Sequence, residues 1–251
     1  MTPEEWQMRC GTTLKAVDTA HGEVVRGKAD TPIPARRPGR IHPVLIRAAR
    51  RAIDILASLC GLLLLSPLLV AVGILIRSQG GGPALFLQER MGRGLRPFTI
   101  YKFRTMVPDA DRMGGYVTVE GDQRITPLGR WLRHHKVDEL PQLLNVLKGD
   151  MSLVGPRPEM RSYVELFRDE YEILLRDRPG ITDPAALRFS QEEQLLAAFP
   201  EPEEEYVGRV LPEKLRLSLQ YAGSRTIRSD LRVVIETVFK VSAGNSSDAP
   251  A

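Results

Sequence analysis

The chain has 251 residues, enough for one or two domains with a real core. It is 43% hydrophobic and 26% charged, which is ordinary for a globular protein. Two cysteines, Cys10 and Cys60, exclude a disulfide framework, and Cys60 sits inside the most apolar run, so the active part is expected in a reducing compartment. The net charge of +4 says less than its distribution. Arg36, Arg37, Arg40, Arg47, Arg50 and Arg51 fall within sixteen residues just before the apolar run. A cluster placed there suits an anionic membrane surface. Nucleic acid is the rival partner for such a cluster, but no nucleic-acid motif accompanies it.

Residues 1–40 lack apolar periodicity and end among Pro32, Pro34 and Pro38, so they read as a polar, disordered extension without a signal peptide. Residues 41–78 read as a basic juxtamembrane segment followed by a membrane helix. Ile55 to Ile76 gives 22 residues without a charge. As one helix these extend about 33 Å, against a hydrocarbon core of roughly 30 Å. Two features oppose a simple span. Ser66-Pro67 falls at the midpoint, where Pro67 removes a backbone donor and clashes with the Leu63 carbonyl. Both flanks are also basic, with Arg47, Arg50 and Arg51 before and Arg77, Arg90, Arg93 and Arg96 after, so both ends prefer the cytoplasmic side. A re-entrant helix broken at Ser66 and Pro67 and a kinked span both fit these residues.

Residues 79–245 read as a catalytic domain, and residues 246–251 as a disordered tail. Ala84 to Gln88 and Pro97 to Phe103 read as short strands, and Met106 to Thr126 as a loop. Pro127 to Lys136 reads as a short helix. A second helix starts near Asp138, with Leu140, Leu143, Leu144 and Leu147 on one face, Asp138 as N-cap and Gly149 as stop. A third helix, from about Glu159 to Arg176, carries the stripe Met160, Tyr163, Val164, Phe167, Tyr171, Leu174 and Leu175. A last helix from about Asp230 places Leu231, Val234, Ile235, Val238 and Val241 on one face. Beside a membrane segment such stripes can lie in the interface plane. The fold class read from these elements is α+β and mostly helical: a membrane helix, re-entrant or spanning, plus a small domain with interfacial amphipathic helices.

The chemistry concentrates between Arg133 and Glu159. Asp138-Glu139 is an adjacent carboxylate pair at a helix start, where free backbone donors and the helix dipole favour anions. An ionised Asp can attack phosphorus, and two carboxylates can hold a divalent metal. Plain capping is the competing account of Asp138. Gly155-Pro156-Arg157-Pro158 fixes an arginine between two prolines, which suits bidentate phosphate binding. Lys102, Arg104 and Arg133 add cations. His134 and His135 are adjacent and point apart, so they make a poor metal pair.

Six stretches carry a family resemblance: Arg50-Arg51-Ala52-Ile53-Asp54, the Ser66-Pro67 break, PheLeuGlnGluArgMetGly at 86–92, TyrLysPheArgThrMet at 101–106, the run from Asp138 to Glu159, and ProGlyIleThr at 179–182. They span roughly residues 45 to 190 in order, and LeuProGluLysLeu at 211–215 extends them. The chain resembles the bacterial sugar transferases, the monotopic phosphoglycosyl transferases. The resemblance implies a re-entrant helix in the bacterial inner (cytoplasmic) membrane, with the catalytic domain on the cytoplasmic face. It implies transfer of a sugar-1-phosphate from a UDP-sugar to polyprenyl (undecaprenyl) phosphate, with release of UMP, as the initiating step of surface polysaccharide or glycoconjugate assembly. Asp138 would be the nucleophile that carries the sugar phosphate, with Glu139 assisting and magnesium (Mg2+) held by Asp138 and Glu139. Arg157, Arg133, Lys102 and Arg104 would bind substrate phosphate. The expected partners are donor, acceptor, membrane lipid and downstream glycosyltransferases, without nucleic acid. A UDP-releasing glycosyltransferase and a non-catalytic membrane scaffold are the rival readings. Asp183-Pro184-Ala185 after ProGlyIleThr departs from many members, so the sugar stays open.

Overall fold

The structure is a computed structural model that describes residues 43–242 except Gly80 and Tyr116. The expected extension 1–40 and tail 246–251 lie outside the described residues. The chain begins with a 36-residue helix, α1 (Pro43–Ser78), about 54 Å long at 1.5 Å per residue. Next comes an antiparallel hairpin of β1 (Leu85–Met91) and β2 (Pro97–Phe103), paired from Leu85–Phe103 to Met91–Pro97. The long loop expected after it has one 3-10 turn, Ala110–Arg112, and a single bridge between Met106 and Ile125. Helix α2 (Pro127–His134) is capped by Thr126, whose hydroxyl accepts from the Gly129 amide.

Asp138 does not cap a helix, contrary to expectation. Val137–Glu139 forms a 3-10 turn, and α3 (Gln142–Lys148) starts only after Pro141 and stops at Gly149, whose φ of 95° suits a residue without a side chain. The turn is entered through Lys136 at φ 53°, a left-handed conformation uncommon for a non-glycine residue. The third expected helix is broken in two at Phe167, giving α4 (Arg161–Leu166) and α5 (Arg168–Leu174). No proline or glycine marks that break in the sequence.

Two three-residue strands, β3 (Ser152–Val154) and β4 (Gly180–Thr182), pair in parallel. They approach so closely at Gly155 and Gly180 that a Cβ on Gly180 would stand 2.1 Å from the Gly155 nitrogen. Short helices α6 (Pro184–Arg188), α7 (Glu192–Ala197) and α8 (Pro202–Glu205), a π turn at Tyr206–Val210, α9 (Leu211–Ser224) and α10 (Ile227–Ser242) complete the chain. The architecture is mostly helical with two small sheets, an α+β fold.

The main core gathers Tyr163, Val164, Tyr171, Leu174 and Leu175 against Leu196, Tyr206, Val210, Leu211 and Leu215. A second cluster joins Val72 and Ile76 of α1 to Phe103, Leu132 and Val137. A third holds Ile100, Val146 and Met151. Asn145 ties α3 to β2 as a strand neighbour would: its amide donates to Thr99 O at 2.7 Å, and its carbonyl accepts from the Tyr101 amide at 3.0 Å.

Helix α1 packs on the rest of the molecule along one stripe. Arg51, Asp54, Ser58, Gly61, Leu65, Leu69, Val72 and Ile76 recur at helical spacing and are among the residues withdrawn from solvent. Arg51 donates to the carbonyls of Val146 and Leu147 at the end of α3, a position that favours a cation. Asp54 accepts from the Ser152 hydroxyl and the Leu153 amide. The remaining faces of α1 are apolar and exposed, up to 80% at Leu64, and only 11% of its most apolar window is buried, so this is not the core helix of a soluble domain. The break expected at Ser66 and Pro67 does not interrupt the helix, and helical geometry continues through Pro67. Its missing amide would have donated to Leu63 O, and the Ser66 hydroxyl donates to that carbonyl instead, at 2.8 Å.

Candidate active site

The chain reverses between α2 and α3, and the reversal delivers Asp138 and Glu139 side by side into the wall of a cavity of about 730 Å³. β2 reaches the same cavity with Lys102. The loop between β3 and α4 brings Arg157, and α2 brings Arg133. The structure thus assembles five of the six residues singled out for chemistry in the sequence. Arg104 is the exception: it follows the last residue of β2, and its guanidinium turns to the end of α1, donating to Ile76 O and Gly81 O. The last carbonyls of a helix attract a cation, which gives Arg104 a structural role outside the cavity wall.

Glu139 is held from two sides. Lys102 Nζ donates to Oε1 at 2.9 Å and Arg157 donates to the same oxygen at 2.6 Å, with a longer 3.4 Å contact to Oε2. Burial pushes the Glu139 carboxyl up, but the charges of Arg157 and Lys102 outweigh it and hold the group well below the usual range. Burial likewise lowers Lys102, partly offset by Glu139. Asp138 is different. It is buried, its Oδ1 has no hydrogen-bond partner among the described residues, and burial together with Glu139 pushes its carboxyl up to about 6. A buried carboxylate oxygen without a partner is costly, and one in a cavity wall marks a place where a ligand is expected.

The same oxygens suit a divalent cation. Asp138 Oδ1 is unpartnered and Glu139 Oε2 has one long contact, which leaves lone pairs for an ion that prefers oxygen. No group of three or more His, Cys, Asp or Glu side chains is arranged for a metal among the described residues. Among the described residues the site offers the two carboxylates Asp138 and Glu139, and magnesium commonly completes its shell with substrate phosphate and water.

Arg133 is paired with Glu193 of α7 at 2.6 and 3.1 Å and donates to the Thr105 hydroxyl at 3.2 Å. Several residues of the site carried no assigned role in the sequence. Glu159 follows the Pro-Arg-Pro loop, is buried, and accepts from Arg90 at 3.1 Å and from the Tyr206 hydroxyl at 2.8 Å. Burial pushes its carboxyl up, but Lys214, Arg90, Arg157 and the Tyr206 hydroxyl together hold it below the usual range. The Met91 amide donates to Glu159 O, so Glu159 fixes the far end of the Arg157 loop on β1. Lys214, in the LeuProGluLysLeu stretch, donates to Glu192 at 2.8 Å. Their buried charges come together only through tertiary folding, and helical spacing gives no signal of it. His134 and His135 line the cavity with their rings 4.8 Å apart at 76°.

Comparisons with known proteins place the chain in a family. A family model described as bacterial sugar transferase matches residues 45–244. A UDP-N-acetylgalactosamine-undecaprenyl-phosphate N-acetylgalactosaminephosphotransferase of Aeromonas hydrophila is 46% identical over 53% of this chain, and the match spans 32% of that protein's length. A putative undecaprenyl-phosphate N-acetylgalactosaminyl 1-phosphate transferase of Bacillus subtilis is 45% identical over 49% of this chain and 69% of its own. A UDP-glucose:undecaprenyl-phosphate glucose-1-phosphate transferase of Caulobacter vibrioides is 36% identical over 80% of this chain and 73% of its own. The chain belongs to the bacterial sugar transferase family.

Proposed function

We propose that this protein is a membrane-bound phosphoglycosyl transferase that moves a sugar-1-phosphate from a UDP-sugar to a polyprenyl phosphate of the undecaprenyl type. The observation that carries this reading is the buried, unpartnered Asp138 Oδ1 beside the Lys102–Glu139–Arg157 cluster in one cavity. The names of the relatives supply the substrate class.

In the first half of the reaction, Asp138 Oδ1 attacks the sugar-bearing phosphorus of the donor. The bond from that phosphorus to the bridging oxygen breaks, and its electron pair leaves with UMP. The sugar phosphate stays on Asp138 as an acyl phosphate. In the second half, an oxygen of the polyprenyl phosphate attacks the same phosphorus, and Asp138 departs as a carboxylate. No net proton transfer is needed. Arg157 and Lys102 neutralise the phosphate oxygens, and Glu139 holds both cations in place before substrate arrives. Magnesium, held by Asp138 and Glu139, would supply charge neutralisation that lets an anion approach an anion.

The packing of α1 supports re-entry rather than a span. Its contact stripe runs from Arg51 to Ile76, about 38 Å at 1.5 Å per residue. A helix crossing the bilayer over that length would drag the charged Asp138 cavity into hydrocarbon, at a cost of several kcal/mol per unpaired group. Basic residues at both flanks favour the cytoplasmic side for both ends.

Nucleotide release tests the reading. Protein in nanodiscs is supplied with magnesium, undecaprenyl phosphate and a panel of UDP-sugars, and UMP and UDP are assayed separately. UMP from at least one donor is expected, and UDP as the product would replace this reading with sugar-only transfer.

A further inference from the structure

Consecutive glutamates at the start of α7 hold two cations of the cavity. Glu193 Oε1 accepts twice from Arg133, at 2.6 and 3.1 Å, and Glu192 Oε2 accepts from Lys214 Nζ at 2.8 Å. All four residues line the cavity that also holds Asp138 and Glu139. Each glutamate commits one oxygen to its cation. Glu193 Oε2 and Glu192 Oε1 accept no hydrogen bond among the described residues. Both side chains stay open to a ligand, at 37% and 29% exposure.

The pair is fixed in place. The Glu120 amide donates to Glu193 O at 3.0 Å, and Leu196 of the same helix is fully buried in the main core. Arg133 also donates to the Thr105 hydroxyl at 3.2 Å, and buried Lys214 has its Nζ 3.5 Å from the Tyr206 hydroxyl. Each glutamate stands one cation away from the reacting centre. Burial and Glu139 push the Asp138 carboxyl up, while Lys102 and Arg133 pull it down. Glu139 does most to stabilise the Arg157 cation, and Glu159 and Glu192 add to it. Two acceptor oxygens, oriented before substrate arrives, therefore lie in the surroundings of the centre, and no step of the transfer uses them.

A carboxylate is repelled by a diphosphate and finds its partner in a neutral hydroxyl. In the donor such groups sit on the sugar and on the ribose. The sugar is bonded through one oxygen to the phosphorus that Asp138 attacks, whereas the ribose lies beyond a second phosphate. The sugar is therefore the polyol nearer to a pair one cation from the centre. Resting on the transferase reading above, we propose that Glu193 and Glu192 select the donor sugar, with Glu193 Oε2 and Glu192 Oε1 accepting hydrogen bonds from its hydroxyls and Arg133 and Lys214 anchoring the two carboxylates. A site built to accept from a hydroxyl rejects the analogue that lacks it, because the acceptor is then left unpaired.

The test is a cycle between donor and protein. In nanodiscs with magnesium and undecaprenyl phosphate, UMP release gives kcat/KM for the best UDP-sugar and for analogues that each lack one sugar hydroxyl. In wild type at least one analogue should lose about tenfold or more. Glu193→Ala and Glu192→Ala should each shrink such a loss to within about twofold, because the hydroxyl's partner is already gone. A role confined to holding Arg133 or Lys214 lowers kcat/KM by the same factor for every donor, so analogue losses unchanged in both variants overturn the proposal. Wild-type tolerance of every analogue within about twofold overturns it too. Relief seen only with a deoxyuridine donor assigns the carboxylates to the ribose and also overturns it. Should a variant lose all turnover, or wild type release no UMP, the same cycle is read from donor binding by titration calorimetry in an Asp138→Asn background. Absence of UMP in wild type sinks the transferase reading, and the binding cycle still decides the sugar contact.

Discussion

Glu139 and Asp138 are neighbours in sequence with opposite electrostatic situations, and the roles proposed for them rest on that difference. Glu139 is saturated by Lys102 and Arg157, whereas Asp138 keeps an oxygen without a partner. Arg157→Lys keeps the charge but loses the forked geometry. With about 1.5–3 kcal/mol at stake for hydrogen bonds to a charged group, donor KM or kcat/KM should worsen about ten- to a hundredfold. Arg104→Lys should leave kcat/KM within about twofold, because Arg104 serves the end of α1 rather than the cavity. Steady-state kinetics on both variants checks the contrast, and equal losses would contradict the assignment. The Arg157 and Lys102 positions were legible in the sequence, as a proline-framed arginine and a strand lysine. The misplacement of Arg104 has a physical source. The resemblance placed it beside Lys102, but β2 ends at Phe103 and the Arg104 guanidinium turns to the end of α1. Glu193 and Lys214 escaped assignment because their partners, Arg133 and Glu192, lie 60 and 22 residues away in the chain.

The elements carry a similar mixture. The hairpin, α2, α3 and α10 follow from alternation, caps and apolar stripes. The break at Phe167 has no turn residue to announce it, and β3 and β4 are three residues each, too short for a period to show. The capping role expected of Asp138 failed because Pro141 starts α3 one turn later. The stripe on α1 was partly written in the sequence, since Asp54, Ser58 and Gly61 are polar or small at helical spacing at or inside the apolar run. Asp54 joins the membrane helix to β3, three residues before the Arg157 loop begins at Gly155. Asp54→Ala removes both bonds and leaves the Leu153 amide and Ser152 hydroxyl without their acceptor. A loss of about 2 kcal/mol is expected, or about 4–8 °C in Tm. Thermal unfolding in detergent checks it, and an unchanged Tm would show that the joint carries no stability.

At the scale of the whole molecule, the proposed re-entry of α1 sets one body against one leaflet. α1 is covered on one stripe by that body and bare elsewhere, and α10 presents Leu231, Ile235 and Phe239 as a second bare face. Both belong at the lipid surface if α1 enters and leaves on the same side. Single cysteines at Ala48 and Ser78, in a background with Cys10 and Cys60 replaced by serine, should both react with an impermeant maleimide from the cytoplasmic side. Labelling of the two from opposite sides would establish a span and contradict the placement.

The central claim is that Asp138 itself carries the sugar phosphate between donor and acceptor. Its most direct test is to mix protein, magnesium and the active UDP-sugar without acceptor, quench in acid, digest and measure peptide masses. The peptide containing Asp138 should gain the mass of one sugar phosphate, lose it when polyprenyl phosphate is added before the quench, and show no gain in Asp138→Asn. An unmodified Asp138 peptide in protein that turns over normally, or Asp138→Asn with wild-type turnover, would contradict the claim.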